Sequence, residues 1–401
     1  MNLLVNVTPL QASLTGIGRY TRELLARLLR DPEVTDIAGF SDVCHYQRPA
    51  LQALVDHADT VTANGRELPR TARASPVEAI YAAVKPLARN IPYARKVRDG
   101  IQRRRLQRTR LKYQQYVYWE PNFVLQPLDG IKIATVHDLS HLRYPQFHPP
   151  ERVRWLQAGL EKTLSEASRV MTVSAFGKQE LQQILGVAPD RIAVVPPGIS
   201  DCFLTVCSPP ALTEFRHRYG LPDKYILSVG TQEPRKNVKG LIEAHQRLPG
   251  ALRKRYPLVL AGCRGWQHGQ MDSIIRRLVA KGEIKRLGFV PQQDLPALYQ
   301  SASLFAYVSL YEGFGMPVIE AMASGIPVIT SDRASMPEAA GGYGTLVNPE
   351  DNDSITGALR DVLEAGSVVD EAGLAAASAA ARQYTWAASA DKLKAVVEEV
   401  G

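Results

Sequence analysis

The chain has 401 residues, 45 % of them hydrophobic and 22 % charged, with 29 glycines and 27 prolines; this composition excludes a disordered, collagenous or fibrous protein. At this length a single hydrophobic core stops growing, so two domains meeting at a ligand-binding cleft are expected. The formal charge of +8 is local: ten basic residues between Arg89 and Lys112 stand against Asp99 alone, and the remaining chain is close to neutral.

Met1 to Gly18 lacks the basic start and unbroken apolar run of a signal peptide, and no long apolar stretch follows, so a cytoplasmic location is expected. The first predicted strand, Leu3 to Val7, leads into Thr15-Gly16-Ile17-Gly18-Arg19-Tyr20, after which Leu24, Leu25, Leu28 and Leu29 mark the apolar face of a helix. Gly16 and Gly18 permit close approach to a ligand, although glycines at such a turn also simply relieve crowding. Further strands are predicted at Ile37 to Phe40, Val117 to Trp119, Ile131 to Val136, Val170 to Val173 and Ile192 to Val195. Between them, Ser41 to Gln115 is polar, mixed in pattern and rich in arginine. Cys44, Cys202, Cys207 and Cys263 have neither the pairing nor the density of a disulfide or zinc framework.

His137 and Asp138 follow the strand Ile131 to Val136, where side chains project into a crevice. His141 is four residues on, but no third metal ligand has suitable spacing, so His137 reads as a polar substrate contact and His141 as structural. Pro196-Pro197-Gly198 and Pro209-Pro210 bracket a weakly patterned stretch, which places the interdomain connection after Val195 and the second core from about Leu221.

The second half is more regular. Strands at Tyr225 to Val229, Leu258 to Ala261, Ile284 to Phe289, Leu304 to Tyr307 and Val328 to Thr330 alternate with helices at Val238 to Arg247, Met271 to Lys281, Leu295 to Ser301 and Pro317 to Ala323. This is the pattern of a Rossmann-type domain. Its first strand opens into Gly230-Thr231-Gln232-Glu233-Pro234-Arg235-Lys236-Asn237. Two adjacent cations at a strand end suit a diphosphate and the charge that develops on it as a leaving group; alone, such a pair is also an ordinary solvated turn. No Walker-type phosphate loop is present.

The densest motif is Glu312-Gly-Phe-Gly-Met-Pro-Val-Ile-Glu320. Gly313 and Gly315 allow the backbone to approach a ligand, and Met316 with Pro317 starts a helix whose free amides and positive end face an anion. Carboxylates bind hydroxyls well and phosphates badly, so Glu312 and Glu320 beside that end indicate a ligand with sugars as well as phosphates. The alternative is that Glu312 caps the loop and Glu320 lies on a solvated helix face.

Together, Thr15 to Tyr20, Val136 to Leu139, Thr172 to Lys178, Val195 to Ile199, Gly230 to Asn237 and Glu312 to Ser331 resemble the family 4 retaining glycosyltransferases. The resemblance covers essentially the whole chain and implies an α/β GT-B fold, two Rossmann-like domains facing across a cleft. The domains would span 1–197 and 198–383, with a terminal helix, 384–400, packing back on the first. It also implies that Glu320 binds the ribose hydroxyls of a nucleotide-sugar. Glu312 and the amides after it would hold the donor sugar, with Gly313, Phe314, Gly315, Met316 and Pro317 as donor-binding residues. Arg235 and Lys236 would bind the diphosphate, with Gly16 and Gly18 near it, and His137 would touch the transferred sugar. Ser174, Pro197 and Gly198 would line the cleft or its hinge. Gly177 departs from the family, which often has serine there.

The resulting expectation is a metal-independent hexosyltransferase without a cofactor. Its donor would be a GDP-sugar carrying mannose or rhamnose, and its acceptor a lipid-linked glycan of bacterial surface polysaccharide. A GT-B epimerase or phosphorylase, or a non-catalytic nucleotide-sugar-binding protein, are the competing readings, and no lysine is singled out for a phosphorylase's pyridoxal phosphate. The Arg89 to Lys112 cluster reads either as a solvated face or as a dock on anionic membrane, with Leu106, Leu111, Tyr113 and Tyr116 as its apolar side. It lacks the aromatic platforms of a nucleic-acid site.

Overall fold

The computed structural model describes residues 1–11, 16–41, 44–57, 109, 111–263, 269–365 and 370–401. Two sheets organise them. The first contains β1 (Asn2–Asn6), β2 (Asp36–Phe40), β3 (His45–Tyr46), β4 (Val117–Glu120), β5 (Lys132–Val136), β6 (Arg169–Thr172) and β7 (Ile192–Val194), in the order β3-β2-β1-β4-β5-β6-β7. All pairings are parallel except β2 with β3. Leu3, Ile37, Trp119, Ile133 and Val170 are wholly buried. Helices cover both faces of a parallel sheet, which is why its strands are legible as short continuous apolar runs.

The helices of this half are α1 (Gly16–Leu28), α2 (Arg48–His57), α3 (Ser140–Arg143), α4 (Pro150–Glu166) and α5 (Ala175–Leu185). In the polar stretch that showed no pattern, β3 and α2 form because Tyr46, Leu51, Leu54 and Val55 are buried against the sheet.

The second sheet contains β8 (Ile226–Val229), β9 (Leu258–Ala261), β10 (Ile284–Gly288), β11 (Leu304–Tyr307), β12 (Val328–Ser331) and β13 (Thr345–Val347), all parallel in the order β10-β9-β8-β11-β12-β13. This Rossmann order reverses between β8 and β11, so the crevice outside the carboxyl ends of those two strands is the natural ligand position. Around it are α6 (Pro209–Tyr219), α7 (Val238–Arg247), α8 (Gly250–Arg255), α9 (Gly269–Ala280), α10 (Leu295–Gln300), α11 (Met316–Ala323), α12 (Met336–Ala340), α13 (Asn352–Glu364) and α14 (Glu371–Ala381). The weakly patterned stretch after Pro209 is thus a helix. Phe215 is its one buried residue, too little to produce a visible periodicity.

The chain leaves the first sheet at Val195 and returns beside the same point. The Ile199 amide donates to the Tyr384 carbonyl at 2.7 Å, and Ile199 bridges Thr385. Pro197 and Gly198 are buried at this crossing, where a β-carbon on Gly198 would overlap the Trp386 backbone. The closing helix α15 (Trp386–Val400) packs on α1. Trp386 meets the edge of Tyr20 at 5.9 Å, and Lys394 pairs with Asp31 at 3.0 Å.

Of the basic segment, Arg89 to Arg108 and Arg110 lie outside the described residues, as does Leu106. Leu111 is exposed, but Tyr113 is buried and the Tyr116 hydroxyl donates to Asp36. These two rings belong to the first domain's own packing and do not form the apolar side of an interfacial helix. Among the described residues no helix is long and apolar enough to cross a membrane.

Candidate active site

The loop leaving β8 tightens into a turn over Pro234–Lys236 that ends at Asn237, in the left-handed region with φ 52°. The Asn237 side chain then accepts from the Gly240 amide and starts α7. This geometry turns Arg235 and Lys236 toward the end of β11, onto one carboxylate. Arg235 Nη1 lies 2.6 Å from Glu312 Oε2, and Lys236 Nζ donates to Glu312 Oε1. Arg235 Nε also pairs with Glu233 at 3.0 Å. The Tyr307 hydroxyl donates to Glu312 Oε1 at 2.9 Å, and the Ser309 hydroxyl does so at 3.2 Å.

The two cations are therefore not a solvated turn: both pair with Glu312, which is itself buried. Burial alone would raise the Glu312 carboxyl, but the Arg235 and Lys236 charges outweigh it and hold the carboxyl at about 2. Burial pulls Lys236 below the ordinary ammonium range against the opposing pull of Glu312, while Arg235 is raised because Glu312, Asp138 and Glu233 together outweigh its burial.

The segment from Glu312 into α11 is pinned from below. The Ser335 hydroxyl reaches the carbonyl oxygens of Glu312 and Phe314, 2.9 Å each. Gly315 has φ 111° and a β-carbon there would overlap Met336, so only glycine fits. The Phe314 ring is buried against Tyr384, which leaves its backbone as the part available to a ligand. Met316 and Pro317 begin α11, and Met316 Cε comes within 3.7 Å of where a β-carbon on Gly16 would stand. Gly16 and Gly18 lie in the first turn of α1, and Gly18 is buried.

Glu320 is 4 % exposed, which rules out a solvated helix face. Its two oxygens have partners from both domains: Arg19 Nη1 at 2.9 Å and the Tyr299 hydroxyl at 3.0 Å. Arg19 also donates to the Ser200 hydroxyl at 2.7 Å. Burial raises the Glu320 carboxyl in spite of the Arg19 charge.

Across the cleft, His137 and Asp138 leave β5 directly opposite Gly313. A β-carbon on Gly313 would overlap the His137 carbonyl oxygen, so the two backbones touch. His137 Nε2 is 2.7 Å from the Pro121 carbonyl oxygen, which only accepts; Nε2 therefore carries the proton. Burial lowers the His137 ring below the ordinary range, so it is neutral near pH 7 and Nδ1 is an acceptor. Asp138 is lowered because Arg235 and the Ser140 hydrogen bonds outweigh its burial.

Four further hydrogen bonds close the cleft. The Leu139 amide donates to the Tyr311 hydroxyl at 2.9 Å, and that hydroxyl donates to Glu180. Glu338 of α12 accepts from the Ala175 amide at 2.9 Å and the Phe176 amide at 3.1 Å, at the start of α5. Ser174 does not line the cleft: it is buried and caps α5 through the Gly177 amide at 2.9 Å. A β-carbon at Gly177 would overlap Thr172 Oγ1, so glycine fits this crowded first turn of α5.

Sequence reasoning brought together Arg235, Lys236 and Glu312 only as separate motifs, and missed Arg19, Tyr299, Tyr307 and Glu233. Arg19 stood inside a quoted motif, but its partner is set by domain docking and leaves no local signal. The assembled site offers a paired cation centre, two buried carboxylates and a neutral histidine, which suits a ligand with phosphates at one point and hydroxyls at two others. Among the described residues, no group of three His, Cys, Asp or Glu side chains is placed to hold a metal ion.

Residues 14–201 match the family described as Glycosyltransferase Family 4, and residues 213–379 match Glycosyl transferases group 1. The chain is 34 % identical to O-antigen chain mannosyltransferase B of Escherichia coli, over 96 % of each sequence. Among solved structures it is similar to WaaG, a glycosyltransferase involved in lipopolysaccharide biosynthesis, with a TM-score of 0.70 at 16 % identity over 99 % of both chains. It is also similar to HepE of Anabaena in complex with UDP, with a TM-score of 0.68 at 17 % identity over 100 % of both chains. At these identities the structural likeness establishes a shared GT-B fold.

Proposed function

This chain belongs to the family 4, group 1 glycosyltransferases, and from that premise we propose that it transfers mannose or a related hexose, with retention, from a GDP-sugar to a glycan acceptor of bacterial surface polysaccharide. Its homology to the O-antigen mannosyltransferases of Escherichia coli supports the sugar and the setting. The observation that carries the chemistry is the cluster of Arg235, Lys236 and Glu312 at the point where the second sheet reverses its strand order.

In this reading Arg235 and Lys236 hold the donor diphosphate while Glu312 keeps both cations in place and binds the donor sugar. The amides of Gly313, Phe314, Gly315 and Met316 meet the same ligand at the start of α11, with Pro317, which has no N–H, fixing the first turn. Glu320 binds the ribose, with Arg19 yielding one of its oxygens. His137, fixed by Pro121, offers Nδ1 to a hydroxyl of the transferred sugar, and Gly16 and Gly18 close over the diphosphate from the first domain.

As the glycosidic bond breaks, charge accumulates on the diphosphate and is stabilised by two cations already oriented by a buried carboxylate. The acceptor hydroxyl attacks from the face the diphosphate leaves, and the departing phosphate takes its proton. The links through Tyr311 and Glu338 hold the cleft shut and exclude water during transfer. No metal is required, since the cations occupy its place.

A panel of nucleotide-sugars tests this reading. The expected result is a rise in melting temperature with one GDP-sugar and transfer from it to a mannose-terminated acceptor. Binding without transfer to any acceptor indicates the non-catalytic reading instead.

A further inference from the structure

Beside the site, on the first domain, is a group of side chains to which the mechanism gives no task. His141 is 1 % exposed and its Nε2 has no hydrogen-bond partner. Both ring nitrogens of His148 are likewise buried and unpartnered. Three buried ring nitrogens without partners are unfavourable unless something else binds them. Arg152, in the first turn of α4, is exposed and forms no ion pair among the described residues.

These residues lie near one another and near Asp138 at the cleft. Helix α3, the turn over Pro145–Phe147 and α4 pack on one another. Tyr144 and Phe147 stack at 5.3 Å, and Tyr144 also meets Tyr311 of the second domain at 5.7 Å. His148 is within electrostatic reach of Arg152, Asp138, Arg235 and Glu233, so the patch adjoins the cation centre.

The charges that act most strongly on His148 are of both signs. Arg152 and Arg235 oppose Asp138 and Glu233, and burial holds both histidines below their ordinary range, so each is a neutral ring with one donor and one acceptor nitrogen. Charges of both signs, set close together, partly cancel in their pull on an anion. A mixture of donors and acceptors beside aromatic rings suits a sugar, whose hydroxyls both donate and accept.

We propose that His141, His148 and Arg152 form an acceptor subsite that selects an uncharged sugar terminus over a phosphorylated one. This rests on the transferase reading above, but its test is a binding measurement. Mannotriose and mannose 6-phosphate are titrated calorimetrically, with GDP present, into the parent protein and into His148→Ala and Arg152→Ala.

The parent is expected to bind mannotriose and to bind mannose 6-phosphate no more tightly. Each variant should weaken mannotriose binding about tenfold while melting at the parent temperature. The exposed Arg152 position keeps the test valid even if His148→Ala folds poorly. Mannotriose binding that is absent from the parent, or unchanged in Arg152→Ala and in any folded His148→Ala, overturns the subsite, as does tighter binding of mannose 6-phosphate. Bound mannotriose that never receives a sugar from any donor leaves the subsite standing and overturns the transferase reading instead.

Discussion

Arg19 in α1 and Glu320 in α11, 301 positions apart in sequence, join the two domains through a 2.9 Å ion pair. The carboxylate proposed to bind the donor ribose is thus held, in this state, by a cation from the opposite wall. Arg19→Ala leaves a buried carboxylate with Tyr299 alone, and the loss of a charged hydrogen bond should cost about 1 to 3 kcal/mol. If ribose displaces Arg19, the same variant binds GDP more tightly. Chemical denaturation with and without GDP checks both; an unchanged stability with weaker GDP binding contradicts the competition.

Glu312 makes a pH prediction with a definite sign. Its carboxyl is lowered from 4.5 to about 2, so its stabilising effect is complete above about pH 4.5 and is lost as pH falls toward 2. The parent should exceed Glu312→Gln in stability by a constant margin from pH 7 to 5, and the margin should shrink between pH 4.5 and 2. Denaturant midpoints across that range measure it. A margin that is flat throughout means that Glu312 is not the buried anion described.

Gly313→Ala places a methyl group against the His137 carbonyl. The loops of the second domain proposed to bind the nucleotide are unaltered, so GDP affinity should change little. The misplaced donor sugar and histidine should lower kcat by about a hundredfold. Parallel calorimetry and transfer kinetics separate the two; an equal loss in both would place the effect on folding.

The sheets were legible because parallel strands buried on both faces are written as apolar runs, and Leu258–Ala261 and Leu304–Tyr307 came out residue for residue. β13 was invisible: of Thr345, Leu346 and Val347 only the last is buried, so the strand has no apolar run to read. The site divides in the same way. Glu312, Gly315 and Arg235 sit in local motifs whose turn and helix-start chemistry is visible in sequence. The Arg19 to Glu320 pair and the Tyr311 to Glu180 link depend on how two domains dock, and the turn that points Lys236 at Glu312 depends on the left-handed Asn237. Such relationships are set by tertiary packing and have no pattern in a single stretch of chain.

The paired cations predict both a kinetic loss and a metal response. Arg235→Ala and Lys236→Ala should each lower kcat by about 10² to 10³, the effect of removing one oriented stabiliser of developing charge. Transfer by the parent should be unchanged in EDTA. Activity abolished by EDTA and restored by manganese contradicts the assignment of the charge-stabilising role to these two side chains.

The central claim is retaining transfer at the Arg235, Lys236 and Glu312 centre. Its most direct test is the anomeric configuration of the product, read from the one-bond C1–H1 coupling by NMR after the parent and Lys236→Ala are incubated with α-configured nucleotide-sugars and a mannose-terminated acceptor. The account predicts an α-linked product from the parent and at least a hundredfold slower formation of the same product by the variant. A β-linked product, or parent and variant rates that coincide, would contradict it.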